Sequence, residues 1–155
     1  MGVVIEPGRD SVVTLREITA ETLRPILKLS VTPVQESFVA PNSVSIAEAH
    51  FANDAWFRGV YADDTAVGFV MLSLQPDRPY YYLWRFMIDQ RYQGLGFGRR
   101  AMKQVIDFVR QQPRAGALIL SYVREEGGPG DFYAGLGFVD TNEEHDGEWV
   151  MRLEL

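Results

Sequence analysis

Cysteine is absent from the 155 residues of this chain, and histidine occurs only as His50 and His145. Without thiols there is no disulfide framework, no thiolate nucleophile and no cysteine-ligated zinc, and the chain fits a reducing compartment. Neither histidine stands in a ligand or triad motif, so no metal site and no Ser-His-Asp chemistry is expected. Also missing is an apolar run long enough to cross a bilayer. The N-terminal stretch MGVVIEPGRD has no basic segment leading into an apolar one, so the expectation is a cytoplasmic protein with no membrane partner. A basic excess is lacking too: the formal net charge of −6 disfavours nucleic acid as a partner and suits a cationic small molecule. No repeat or low-complexity segment appears. With 46% hydrophobic residues, the length suits one domain, 1–155, with its own core.

What is present centres on the stretch Tyr80 to Arg110. Tyr80 to Ile88 is almost wholly aromatic or apolar, as expected of a strand buried on both faces, with Arg85 as the exception. An arginine there must face a charged partner or a cleft. Gly94, Gly96 and Gly98 follow. Ala101, Met102, Val105, Ile106 and Val109 then recur at helical spacing. A strand, a glycine turn and a helix place unpaired N–H groups and the positive end of a helix dipole at one point, which is an anion cradle. Arg91, Arg99 and Arg100 add positive charge in an acidic chain.

Around that unit the pattern predicts strands over Ser11 to Ile18, Ala55 to Ala62, Ala66 to Leu74 and Ala117 to Val123. A closing hairpin pairs Phe138 to Asp140 with Glu148 to Leu153 across a polar loop, Thr141 to Gly147. A short helix after Thr19, as N-cap, carries Leu23, Ile26 and Leu27. Two helical pieces break at Pro41-Asn42, with Asn42, Ser43 or Ser45 as cap of the second. Pro129 opens a short helix that Gly137 ends. A right-handed crossover makes the strands at Tyr80 and Ala117 parallel. Where they splay, a ligand arm bearing amides can bond to backbone groups of Phe86, Met87 and Ile88.

The Walker pattern fails because Arg99-Arg100 follows Gly98, and the dinucleotide pattern is broken by Arg99. Arg91-Tyr92-Gln93-Gly94-Leu95-Gly96 is similar to the R-x-x-G-x-G acetyl-CoA signature of the GNAT superfamily of N-acyltransferases. Asp131-Phe132-Tyr133-Ala134-Gly135-Leu136-Gly137-Phe138 resembles the F-Y-x-x-x-G-F element of the same superfamily. The resemblance implies an α/β (α+β) fold: a single GNAT-like domain with a mixed central sheet of six to seven strands, about four flanking helices and a splayed parallel pair at the cofactor site. It implies acetyl-CoA as cosubstrate and no metal. The cofactor-binding residues expected are Phe86, Met87, Ile88, Arg91, Gln93, Gly94, Leu95, Gly96, Phe97, Gly98, Arg99, Phe132 and Tyr133.

By the same resemblance Tyr133 is the acid that protonates the leaving thiolate, and the segment between the first two strands forms the acceptor side. Glu36, Tyr82 and Trp84 are the expected substrate-binding residues, with Glu48 and His50 as further candidates. Two departures stand out. The strand positions where the family often carries a glutamate base are Tyr82 and Trp84, which leaves the base unassigned among water, Glu36 and a backbone carbonyl. Glu126 occupies the place of a cofactor-contacting asparagine. The segments QESFVAPNSVSIAEA and YLWRFMIDQRYQGLGFGRRAM look like bacterial polyamine or diamine N-acetyltransferases. The expected activity is acetyl transfer, an acyltransferase reaction other than amino-acyl transfer, to a primary amine by direct attack. The alternative is a noncatalytic CoA or acyl-CoA sensor. A homodimer through exposed strand edges is the expected assembly.

Overall fold

The chain order is β1 (Val13–Arg16), α1 (Leu23–Leu27), α2 (Asn42–His50), β2 (Ala55–Ala62), β3 (Thr65–Ser73), β4 (Tyr80–Ile88), α3 (Phe97–Arg110), β5 (Ala117–Tyr122), α4 (Gly130–Gly135), β6 (Val139–His145) and β7 (Glu148–Glu154). Short 3₁₀ turns cover Pro33–Ser37 and Gln90–Tyr92. These elements come from a computed structural model that describes residues 5–155, so the first four residues of the N-terminal stretch lie outside it. One seven-stranded sheet runs β1-β2-β3-β4-β5-β7-β6. Every neighbouring pair is antiparallel except β4 and β5. The mixed α/β sheet with its parallel pair and four helices is the fold the sequence implies.

Helices cover both faces of the sheet. On one face the stripe of α3, Phe97, Ala101, Met102, Val105, Ile106 and Val109, is buried against Val60, Tyr81, Leu83, Leu118 and Leu120. Each large apolar side chain so buried contributes roughly 1.5–3 kcal/mol. On the other face Ile26 of α1 and Ala49 of α2 pack on Tyr61, Phe69, Met71 and Met87. At the β1 margin, Arg100 Nη1 donates to Ser11 O (2.6 Å) and Gln104 Nε2 to Val13 O (2.7 Å), so α3 occupies carbonyls that would otherwise invite another strand.

Several local expectations change. Helix α1 starts after Thr22 rather than Thr19, which puts Pro25 within the first turn where its missing N–H costs nothing. Thr22 Oγ1 instead accepts from Thr19 N (2.8 Å). None of the three expected residues caps α2. Pro41 precedes it, and Asn42 is buried with Nδ2 donating to Ile26 O (2.9 Å). Most of the expected polar loop after Phe138 is strand β6, turned at Asp146-Gly147, both at positive φ (53° and 86°) as a type I′ hairpin requires. Strand β4 is not buried on both faces: Tyr82, Trp84, Arg85 and Phe86 are only partly covered.

Asp89, at the end of β4, is the node that fixes the loop after α1 to the glycine turn. Its carboxylate accepts from Ser30 N (2.9 Å), Arg91 N (2.9 Å) and Arg91 Nε (2.9 Å), while Gln90 N donates to Ser30 O (2.9 Å). Burial alone would push its pKa up. The Arg91 guanidinium and the two amides outweigh that and hold the carboxyl below the usual range. A pKa depressed on folding stabilises above the unfolded value of about 4, and that contribution disappears as pH falls through the lower folded value. Asp89→Asn is therefore expected to lower stability at pH 7 by roughly 1–3 kcal/mol in urea melts, with the gap to wild type closing below about pH 4.

Close packing of β3 on β4 gives a second test. A Cβ built at Gly68 would lie 2.5 Å from the Met87 carbonyl oxygen, a backbone atom that cannot step aside. Gly68→Ala is expected to cost roughly 1–3 kcal/mol, read from the denaturant midpoint.

Candidate active site

The parallel pairing of β4 with β5 stops early. It runs from Tyr80 opposite Ala117 to Leu83 opposite Leu120, after which the strands diverge. On its other side β4 stays paired with β3 to Ile88, with one irregularity: Met71 faces Arg85 but Leu72 faces Leu83, so Trp84 is an extra residue in a β-bulge. Asp89 N donates to Val67 O (2.8 Å), and the antiparallel alternation then assigns the backbone groups of Met87 and Arg85 to β3. Those of Phe86 and Ile88 point into the gap. Of the three residues expected to bond a ligand arm through the backbone, Met87 is thus engaged elsewhere. The Ile88 carbonyl is held by Gln93 Nε2 (2.9 Å), and Gln93 also donates to Gln35 Oε1 (2.8 Å) across the cavity.

The glycine turn delivers α3 to this gap. Gly94 (φ 78°) and Gly96 (φ 83°) take the left-handed conformation, and Gly96 is the N-cap of α3. The first helical bond here is Arg100 N to Gly96 O (3.2 Å), so the amides of Phe97, Gly98 and Arg99 precede any intrahelical partner. Gly98 belongs to the helix itself. A Cβ there would meet the Phe132 ring at 3.4 Å, so its bare backbone keeps the first turn of α3 open. Arg100 turns away from the cradle, bonding Leu95 O (3.3 Å), Gly96 O (3.3 Å) and Ser11 O.

Gap and turn open into a single cavity of about 920 Å³. Of the expected residues, Glu36, Tyr82, Trp84, Phe86, Met87, Ile88, Gln93, Gly94, Gly96, Phe97, Gly98, Arg99, Phe132 and Tyr133 line it. Arg91 and Leu95 do not: Arg91 is held by Asp89 and Leu95 packs against the core. Glu48, His50 and Glu126 also lie outside the lining. The sequence reading missed Gln35, Glu148, Ser121 and Tyr122, all on the wall. Tyr122 alone carried a signal, as an aromatic residue at the end of the strand predicted to splay.

Tyr133 is buried, with its ring edge-on to Phe132 (5.2 Å) and Phe138 (5.7 Å). Burial pushes its phenol far above the ordinary value, so it is a proton donor throughout the working pH range. Phe132 stacks on Phe86 at 5.9 Å. On the far side of the gap, Arg124 pairs with Asp140 (2.6 Å) and holds its carboxyl at about 2, with the Tyr122 hydroxyl as a further donor. Desolvation and the Asp140 contact in turn raise Tyr122. This arrangement can bind an anion at the helix start, lay an extended arm along β4 and place a buried proton donor between aromatic rings.

Known proteins share this architecture. The chain is 29% identical over 150 residues to a spermine/spermidine N(1)-acetyltransferase of Bacillus subtilis, covering 92% of this chain and 99% of that protein. The structure of a PaiA N-acetyltransferase from Thermoplasma acidophilum in complex with coenzyme A superposes with a TM-score of 0.71 at 15% identity, over 93% of this chain and 99% of that one. A domain from Methanocaldococcus jannaschii gives 0.74 at 17% identity, over 94% and 100%. At such identities the two structures establish the fold alone. The sequence pattern of the "Acetyltransferase (GNAT) family" is matched over residues 21–138. With most of its length inside that pattern, the chain belongs to the GNAT acetyltransferase family.

Proposed function

We propose that this chain moves the acetyl group of acetyl-CoA to a primary amine of a small molecule, a polyamine or diamine being the acceptor its relatives point to. The observation that carries the reading is the meeting of the α3 start with the β4–β5 gap in one cavity. The residues present fit the cosubstrate. The free amides of Phe97 to Arg99, with the Arg99 side chain, suit a pyrophosphate. The gap-facing backbone groups of Phe86 suit an amide of a pantetheine arm. Arg91 and Leu95 serve that site from behind, through Asp89 and through the packing of the turn.

In the reaction a neutral amine attacks the thioester carbonyl. A C–N bond forms, the C–S bond breaks, and the leaving thiolate takes its proton from the Tyr133 hydroxyl. The Ile88 N–H, turned into the gap, is the backbone donor for the developing oxyanion. No enzyme thiol exists to carry the acetyl group, so direct attack needs no covalent intermediate. Glu36 and Glu148 on the wall hold ammonium groups of the acceptor, with Tyr82 and Trp84 as its apolar and cation–π surface. The acceptor ammonium first loses a proton to water in the open cavity; after attack the nitrogen loses a second proton to water as the amide forms, and water returns one to the Tyr133 oxygen. A cytoplasmic setting and a homodimer through a sheet margin complete the proposal. The free margin for that contact is β6, since α3 side chains blunt β1.

The direct experiment is a screen for CoA release from acetyl-CoA with putrescine, spermidine, spermine, amino acids and aminoglycosides. Turnover with the polyamines is expected, and no release with any amine would sink the reading. Tyr133→Phe is expected to lower kcat by about 10- to 100-fold with little change in acetyl-CoA affinity by calorimetry. An unchanged kcat would remove Tyr133 from the proton transfer.

A further inference from the structure

Arg85 brings a positive charge to the wall of a cavity proposed to receive cations. It follows the bulge at Trp84, whose carbonyl takes its Nη1 (3.0 Å). Its Nη2 faces both carboxylate oxygens of Glu48 on α2, at 3.3 and 3.5 Å. Nε is shielded from solvent and is, among the described residues, the buried side-chain polar atom left without a partner. Glu48 is thus the sole ion pair of Arg85 there, and it stands behind the wall rather than in it.

The geometry is poor for a structural clamp. Contacts of 3.3 and 3.5 Å to one guanidinium nitrogen are longer than a charge-assisted bond and lack the two-pronged Arg–carboxylate arrangement. The pair is also partly exposed, with side chains 23% and 39% accessible, so it adds little to stability. Its effect on the field inside the cavity is larger, because protein surrounds much of that volume and water screens it less than at the surface. With Arg99 turned to the pyrophosphate end and Arg85 cancelled, the carboxylates of Glu36 and Glu148 leave the acceptor side of the wall anionic. With Arg85 uncancelled, one of those charges is neutralised and a carboxylate-bearing amine gains a partner.

We propose that Glu48 is a specificity-determining residue that acts at one remove: by neutralising Arg85 it makes the acceptor side select amines carrying a second cationic group over neutral or carboxylate-bearing amines. This rests on the acetyl-transfer reading above. The test is Glu48→Gln, whose amide oxygen still accepts from Nη2 while the charge is gone. The KM for spermidine is expected to rise about three- to tenfold with kcat retained. The KM for butylamine should barely change and that for β-alanine should fall. The spermidine shift should shrink in high salt, and adding Arg85→Gln to Glu48→Gln should restore the wild-type KM. An unchanged spermidine KM, an equal rise for butylamine, or no recovery in the double variant would overturn the proposal. If the wild type releases no CoA with any amine, the acetyl-transfer reading falls instead. Glu48 is then judged by calorimetric binding of spermidine, where the same order of wild type, single and double variant is required.

Discussion

Strand β4 keeps its hydrogen bonds to β3 as far as Ile88 but loses β5 after Leu83. Everything distinctive about the site follows from that divergence. A backbone group turned into a gap needs a partner, since an unpaired buried N–H or C=O costs about as much as a lost hydrogen bond. The chain supplies some of these partners itself. Gln93 takes the Ile88 carbonyl, and Arg85 takes the Trp84 carbonyl at the bulge. What remains open is a strip of peptide groups beside the start of a helix, which is an extended anionic ligand in negative relief.

Holding that strip in place requires stiff surroundings. Asp89 ties the end of β4 to Ser30 and Arg91, so the loop after α1 and the glycine turn share one buried carboxylate. The aromatic group Phe86, Phe132, Tyr133 and Phe138 fills the space between β4 and α4, and Gly98 lets Phe132 lie against the first turn of α3. In that dry setting the Tyr133 phenol keeps its proton, as the role of thiolate donor proposed for it requires. On that proposal burial is part of the chemistry and not only of the packing.

The parts of this structure legible in the sequence are those whose signal is local. The apolar run of β4, the α3 stripe and the paired glycines set their own elements, and the parallel crossover follows from strand and helix order. Strand β6 was legible only as far as Asp140; its remainder was hidden because it sits at the sheet margin with no face in the core, so no alternation marks it, and the Asp146-Gly147 pair was its one local sign. Asp89 and Glu148 were hidden for a different reason. Beyond the neighbouring Arg91, what gives Asp89 its place is the distant Ser30, and Glu148 belongs to a cavity wall assembled from far-apart segments, so a spacing rule sees neither role. Arg100 reads as a cradle charge by proximity, yet its reach carries it back to Ser11. The motif residues Gln93, Gly94 and Gly96 came through because a short contiguous pattern encodes them.

The extra residue at Trp84 works as a frameshift within a strand. Before it, Tyr81 and Leu83 face the α3 side; after it, Phe86 and Ile88 do, while Met87 joins the core on the α1 and α2 side. Odd positions hand over to even ones in mid-strand. Were Trp84 paired regularly with Met71 instead of bulging, every later side chain would be inverted, driving the charge of Arg85 into the apolar packing of α3 and trading the peptide groups of Phe86 and Ile88 for those of their neighbours. The phase of the site is therefore set by that bulge, more than by the identity of any one residue beyond it.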